Sequence, residues 1–233
     1  MAAVKVFSDR ASLAEAAATH IVARATRAIA TRGRFTLVLS GGSTPQRTYA
    51  LLASDRFLST VDWSRVHIFW GDERCVPRDH PESNYRMAHR TFLRALPIPN
   101  VNLHRMFGER VPGEAAARYA SELDRTVGDP PRLDLVLLGM GEDGHTASLF
   151  PGTSALDVVD RHATAVYVPS FDTWRLTLTY PTINRARAVS FLVQGATKAE
   201  ALARVRNGEM LPAGRVQPAS GALTWFVDTA ATR

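Results

Sequence analysis

The chain has 233 residues, 45% apolar and 21% charged, which predicts a single folded domain over residues 1–233 and not a disordered chain. Lys and Arg outnumber Asp and Glu by 28 to 22, a formal net charge of +6; the basic residues are dispersed, with no aromatic interleaving, zinc-finger spacing or basic helix, so no nucleic-acid partner is expected. The one cysteine, Cys75, excludes an internal disulfide and a Cys-x-x-Cys zinc site, and the lack of a signal h-region or an apolar run of about 18 residues predicts a cytoplasmic protein with no membrane contact.

In chain order, Val4–Phe7 reads as a strand. Ser12-x-x-Glu15 has capping-box spacing, and Leu13, Ala17, Ile21, Ala25 and Ile29 follow at helical period up to a stop at Gly33. Phe35–Leu39 is a buried strand, and Thr44 and Pro45 suit the N-cap and N1 positions of a helix ending near Ala53. Val66–Trp70 is a strand followed by a long polar loop and a helix from about Asn84 to Leu93. Val101–His104 is a weak strand, Gly113–Thr126 an amphipathic helix and Leu133–Leu138 a strongly apolar strand. Ala163–Val168, Arg175–Thr179, Val189–Val193 and Leu223–Val227 complete the strands, with a helix over Thr197–Val205. Alternating strands and helices predict an α/β, Rossmann-like fold: a mostly parallel sheet with helices on both faces. Ligands of such sheets bind beyond the carboxyl ends of the strands.

Three loops at such ends carry chemistry. Ser40-Gly41-Gly42-Ser43-Thr44-Pro45 leaves a strand and opens a helix. Two glycines and a helix N-terminus make a phosphate cradle or, more plainly, a glycine turn with a cap. A nucleophile elbow would need glycine where Pro45 stands. Trp70-Gly71-Asp72-Glu73-Arg74 puts two acids and an arginine at one strand end. Arg74 there is a surface ion pair or a clamp for phosphate or carbonyl oxygen, with Asp72 orienting a donor or water. Cys75 has no base beside it and reads as inert.

Gly139-Met140-Gly141-Glu142-Asp143-Gly144-His145-Thr146 formally matches a dinucleotide fingerprint. Glu142 and Asp143 would repel a pyrophosphate there, and a P-loop would need lysine at His145. His145 is instead the candidate general base, since imidazole accepts a proton near neutral pH. The other six histidines have no such surroundings in the sequence. Arg175 and Lys198 are further candidate cations for an anion; a lysine at a helix start is otherwise disfavoured by the dipole. No His-Glu-x-x-His occurs, and His80-Pro81-Glu82 lacks the cysteine pair of a deaminase zinc site.

The stretches LSGGSTPQRTYALL, WGDERCVPRDHPESNYRMA, DLVLLGMGEDGHTASLFPG and RLTLTYPTINRARAVSFLVQGATKAEAL together resemble the successive signatures of the 6-phosphogluconolactonase family, in its order. The resemblance implies a Rossmann-like fold shared with glucosamine-6-phosphate deaminases. It also implies hydrolysis of 6-phospho-D-glucono-1,5-lactone, the second step of the oxidative pentose phosphate pathway, with a small-molecule sugar-phosphate substrate and no cofactor or metal. On this resemblance His145 is the base, with Asp72 and Arg74 beside it in catalysis. Gly41, Gly42, Ser43, Thr44, Asn84, Arg175 and Lys198 bind the substrate and its phosphate. Which of Asp72, Glu142 and Asp143 orients His145 stays open, as does which cation meets phosphate and which the carbonyl. The deaminases' Asn-Glu pair is absent after His145, where Thr146 to Pro151 stand. A monomer or weak homodimer is expected.

Overall fold

The computed structural model describes residues 2–233. The strands, in chain order, are β1 (Ala3–Phe7), β2 (Phe35–Leu39), β3 (Val66–Trp70), β4 (Asp72–Arg74), β5 (Leu103–His104), β6 (Leu135–Leu138), β7 (Ala163–Val168), β8 (Thr173–Leu178), β9 (Ala188–Val193) and β10 (Ala222–Asp228). The helices are α1 (Arg10–Arg32), α2 (Ser43–Leu52), α3 (Asp55–Leu58), α4 (Asn84–Thr91), α5 (Pro112–Val127), α6 (Tyr180–Asn184) and α7 (Ala199–Arg206). Among the described residues, no helix is long and apolar enough to cross a membrane.

Seven strands form an all-parallel sheet in the order β1-β10-β9-β6-β2-β3-β5. Its central strands β2, β6 and β9 are buried at every residue, as expected of strands covered on both faces. Side chains alternate between those faces. Leu192 and Phe226 pack with Leu13 and Ala17 of α1. Their neighbours Phe191 and Trp225 belong to the larger core on the other face and stack at 3.8 Å. Each large side chain so buried contributes roughly 1.5–3 kcal/mol. The Rossmann-like α/β architecture read from the sequence is the one observed.

Several local expectations need correction. Ser12 does not cap α1: Asp9 does, accepting from the amides of Ala11 and Ser12 while Ser12 Oγ returns to the Asp9 amide as the N3 partner. Asp accepts at this position as well as Ser, and the box starts one turn earlier. Thr44 is not the cap of α2 either. Gly42 is, at φ +98, a left-handed conformation that favours glycine, so Ser43 opens the helix and Pro45 falls inside its first turn. The helix expected from Thr197 begins as a 3-10 turn at Ala196–Lys198 and becomes α-helical at Ala199.

The largest difference concerns the polar loop after Trp70. Residues Asp72–Arg74 form β4, which pairs antiparallel with β8, and β8 with β7, in a separate three-stranded sheet. Gly71 makes the transfer between sheets: its N–H donates to Leu39 O at 2.9 Å and its carbonyl accepts from Leu178 N at 2.8 Å. Strand β4 is three residues long and entirely polar, so no alternation announces it. Arg175 accordingly lies inside β8, which starts at Thr173.

Candidate active site

The parallel sheet reverses its winding between β2 and β6: the chain runs outward from β2 to β3 and β5, and from β6 the other way to β9 and β10. At such a switch point the loops leaving adjacent strands diverge and open a crevice. Here the crevice is about 250 Å³, and all ten residues expected from the sequence line it: Gly41, Gly42, Ser43, Thr44, Asp72, Arg74, Asn84, His145, Arg175 and Lys198. A larger groove of about 550 Å³ beside Val4, Leu202 and Trp225 contains Arg206 as its one charged lining residue and offers no comparable chemistry.

Buried tyrosines brace two of the strand ends. Tyr49 Oη accepts from Ser40 N (2.9 Å) and donates to Ser40 O (3.0 Å). Tyr119 Oη does the same at Trp70, at 2.9 Å each way. Where strands splay, their last peptide groups lose sheet partners, and the phenols replace them. Burial raises the pKa of both tyrosines, so they stay neutral donors.

His145 sits on a turn that fits only around glycine. Gly141 N donates to His145 O at 2.8 Å, and a Cβ at Gly141 would lie 2.0 Å from His145 Nδ1. Asp143 Oδ1 accepts from the His145 amide at 3.0 Å and lies 2.6 Å from Nδ1. Burial pushes the Asp143 carboxyl up, but the hydrogen bonds and charge of His145 outweigh it and hold it below the usual range. The other side of the imidazole stacks on Phe150, with centroids 4.0 Å apart. Asp143 is thus the carboxylate beside the ring. Glu142 lies 3.7 Å from Lys198 Nζ, and Asp72 is engaged elsewhere. The turn continues through Ala147 at φ +49, a left-handed conformation costing an alanine about 1–2 kcal/mol.

Asp72 is buried and takes two donors, Ser148 Oγ at 2.8 Å and Asn84 Nδ2 at 3.1 Å. Asn84 in turn fills the space beside Gly41, where a Cβ would meet its Oδ1 at 2.0 Å. Glu73, on the neighbouring position, accepts from the amides of Asn84 and Tyr85 and from Ser83 Oγ, fixing the start of α4. Ser148 and Gln194 also belong to this site region and were not expected from sequence. Ser148 is 76 residues from its partner Asp72, a distance no local pattern spans.

Arg74 and Arg175 are register partners across β4 and β8. Like charges directly opposite destabilise a sheet, yet neither arginine has a carboxylate within salt-bridge distance among the described residues. Arg74 reaches the Glu82 carbonyl at 2.9 Å, while Nε of both side chains is buried without a partner. Burial first, then the charge of Arg74, lowers the pKa of Arg175. Arg175 is 8% exposed, with Phe171 under its guanidinium at 5.0 Å. Cys75 is a poor nucleophile here, its thiol pushed up to about 11 by burial and then by Glu73.

A family model described as glucosamine-6-phosphate isomerases/6-phosphogluconolactonase matches residues 8–225. The chain belongs to this family. Within it, the chain is 44% identical to the 6-phosphogluconolactonase of Synechocystis sp., over 97% of this chain and 95% of that protein. The solved 6-phosphogluconolactonase from Trypanosoma cruzi superposes with a TM-score of 0.89 at 29% identity, covering 99% of this chain and 96% of that one. A monomeric glucosamine-6-phosphate deaminase shares the fold, with a TM-score of 0.83 at 22% identity over 99% of this chain and 100% of that one. A lactonase and a deaminase therefore share this architecture.

Proposed function

We propose that the chain hydrolyses 6-phospho-D-glucono-1,5-lactone to 6-phosphogluconate, the lactonase step of the oxidative pentose phosphate pathway, with His145 as general base. The observation that carries this reading is the 2.6 Å contact of His145 Nδ1 with Asp143 in a crevice shared with Arg74, Arg175 and Lys198. With Nδ1–H donating to the carboxylate, Nε2 keeps its lone pair as a proton acceptor. Nε2 removes a proton from water as the oxygen attacks C1. The C1–O ring bond then breaks, and the imidazolium returns the proton to the departing ring oxygen. General base catalysis of this kind supplies about 10²–10⁴-fold. No metal is needed in these steps, since an activated lactone carbonyl already accepts an oxygen nucleophile.

The paired guanidiniums Arg74 and Arg175 anchor the phosphate, an anion that relieves their mutual repulsion. The N-terminus of α2, whose cap Gly42 brings no side-chain bond, adds amides and partial positive charge. Asp72 is a positioning residue, holding Asn84 against Gly41 and Ser148 beneath the catalytic turn. Lys198, near Glu142 on the catalytic loop, serves the lactone end. Binding energy from the phosphate fixes C1 beside the imidazole.

The test is proton release from fresh lactone, corrected for spontaneous hydrolysis. The unmodified chain should accelerate it, and His145→Ala should lower kcat by about 10²-fold or more with KM little changed. Wild-type kcat in the variant would remove His145 from the mechanism. Ammonia release from glucosamine 6-phosphate would favour the deaminase reading instead.

A further inference from the structure

A trio of metal-ligating side chains lies apart from the crevice. Asp124 stands in the last turn of α5, Asp129 on the loop just beyond that helix, and His162 immediately before β7. None of the three lines the sugar-phosphate crevice. His162 Nε2 is 3.2 Å from Asp124 Oδ1 and 3.4 Å from Asp129 Oδ1, and the three atoms all lie within 4.8 Å of one another. An imidazolium paired with two carboxylates is the simplest account of such a group.

Three observations favour a bound cation instead. The first is the direction of the ring. Asp124 Oδ1 is buried without a hydrogen-bond partner, so the Nε2 axis is not aimed at the oxygen 3.2 Å away, as an ion pair would aim it. Ligand atoms about 2.0–2.2 Å from a tetrahedral zinc ion stand roughly 3.3–3.6 Å from one another, close to the spacing of the two nitrogen–oxygen contacts. The second is the tautomer. Thr182 Oγ1 donates to the His162 carbonyl at 2.9 Å, and its lone pairs face Nδ1 at 3.5 Å. That places the ring hydrogen on Nδ1 and leaves a bare lone pair on Nε2, facing two carboxylates. Metal-bound histidines are oriented through the other nitrogen in this manner. The third is uncompensated charge. Two carboxylates at a helix C-terminus oppose its dipole. Neither has a lysine or arginine within salt-bridge distance among the described residues; Arg125 serves Glu122 and Arg161 serves Asp160. A divalent cation answers both charges at once.

The donor set selects the metal. One imidazole and two carboxylates suit zinc, whereas magnesium and calcium prefer sites made of oxygen alone. Asp129 is exposed on its loop, which gives an ion a way in and a water room to act as fourth ligand. We propose that Asp124, Asp129 and His162 bind one zinc ion, tying the end of α5 to the start of β7. The site is structural and independent of the lactonase reading.

The test uses the tag-free full chain after dialysis against EDTA, titrated with zinc, cobalt(II) and magnesium chlorides. Zinc should bind saturably by calorimetry, at one ion per chain, and should raise the melting temperature further as its concentration rises. Cobalt(II) in the same site should show the visible absorption of a tetrahedral complex, and zinc should displace it. His162→Gln and Asp129→Asn should each weaken zinc at least about tenfold, the loss that removing even an outer partner brings. Asp129→Asn, a change on an exposed loop, keeps the test open if His162→Gln does not fold. Three results would each overturn the proposal: no saturable zinc binding up to about 0.1 mM, zinc affinity indifferent to Asp129→Asn, or magnesium bound as tightly as zinc. The first of these leaves the imidazolium ion pair as the account of the trio.

Discussion

His145 owes its orientation to three neighbours of different kinds. Asp143 holds Nδ1, Phe150 covers one face of the ring, and the missing side chain of Gly141 leaves room for the other. The same economy of contacts appears at Arg175, which has aromatic neighbours and a facing arginine but, among the described residues, no carboxylate within salt-bridge distance. A single charge-assisted hydrogen bond is worth about 1.5–3 kcal/mol, so Arg175→Ala should raise KM for the phosphorylated lactone roughly 10- to 150-fold. Glucono-1,5-lactone without phosphate should be much less affected. Steady-state kinetics on both substrates decides this, and equal damage to both would contradict an anchoring role. At this scale the sequence was informative where one residue type implies one chemistry, as for His145 and the two arginines. It was silent about Ser148, whose partner lies 76 residues away, and about which of three carboxylates stands beside the imidazole, because that depends on how the turn from Asp143 to His145 folds and on Asp72 being held by other donors.

At the level of elements, the crevice depends on strand ends held open without leaving their peptide groups unpaired. Tyr49 and Tyr119 do this with one hydroxyl each, bonded to both the N–H and the C=O of a single residue. Tyr49→Phe removes both partners from Ser40 inside a buried environment. It should destabilise the chain by about 1–3 kcal/mol, read as a lower denaturant midpoint at constant slope. A change under about 0.5 kcal/mol would mean that water replaces the phenol. Helix starts follow a similar logic. Gly42 caps α2 because only the backbone geometry of that turn matters there, whereas Asp9 caps α1 by side-chain bonding. Strand β4 shows the limit of local reading. Its three polar residues become a strand only because β8 offers an edge to pair with.

Across the whole molecule, several histidines are held neutral. Burial, followed by neighbouring positive charges, pushes His20 down to about 4; burial, then His104 and Arg34, does the same to His67. His104 is also lowered by burial, although Glu122 at 2.6 Å opposes the shift. In the unfolded chain these rings titrate near 6.5. Between pH 6.5 and 4 the unfolded state therefore binds more protons, and stability rises with pH. Folding stability should be complete above about pH 6.5 and fall progressively as pH drops toward 4. Urea unfolding at pH 7.5, 5.5 and 4.5 measures this, and His20→Gln should flatten the decline. A midpoint independent of pH over that window would show that these rings are solvated.

The sequence by itself determined the alternation of apolar runs and amphipathic helices, hence the layered fold, and the loops that follow each strand. These depend on periodicity and on residue chemistry, both local properties. Tertiary structure alone decided the split into two sheets at Gly71, the facing of Arg74 by Arg175, and the choice of Asp143 over Asp72 at the imidazole. The first two are contacts between segments far apart in the chain; Asp143 is only two residues from His145, but Asp72 is ruled out by its own bonds to Asn84 and the distant Ser148, and such energies are set by distance and burial, which exist only once the sheet has formed.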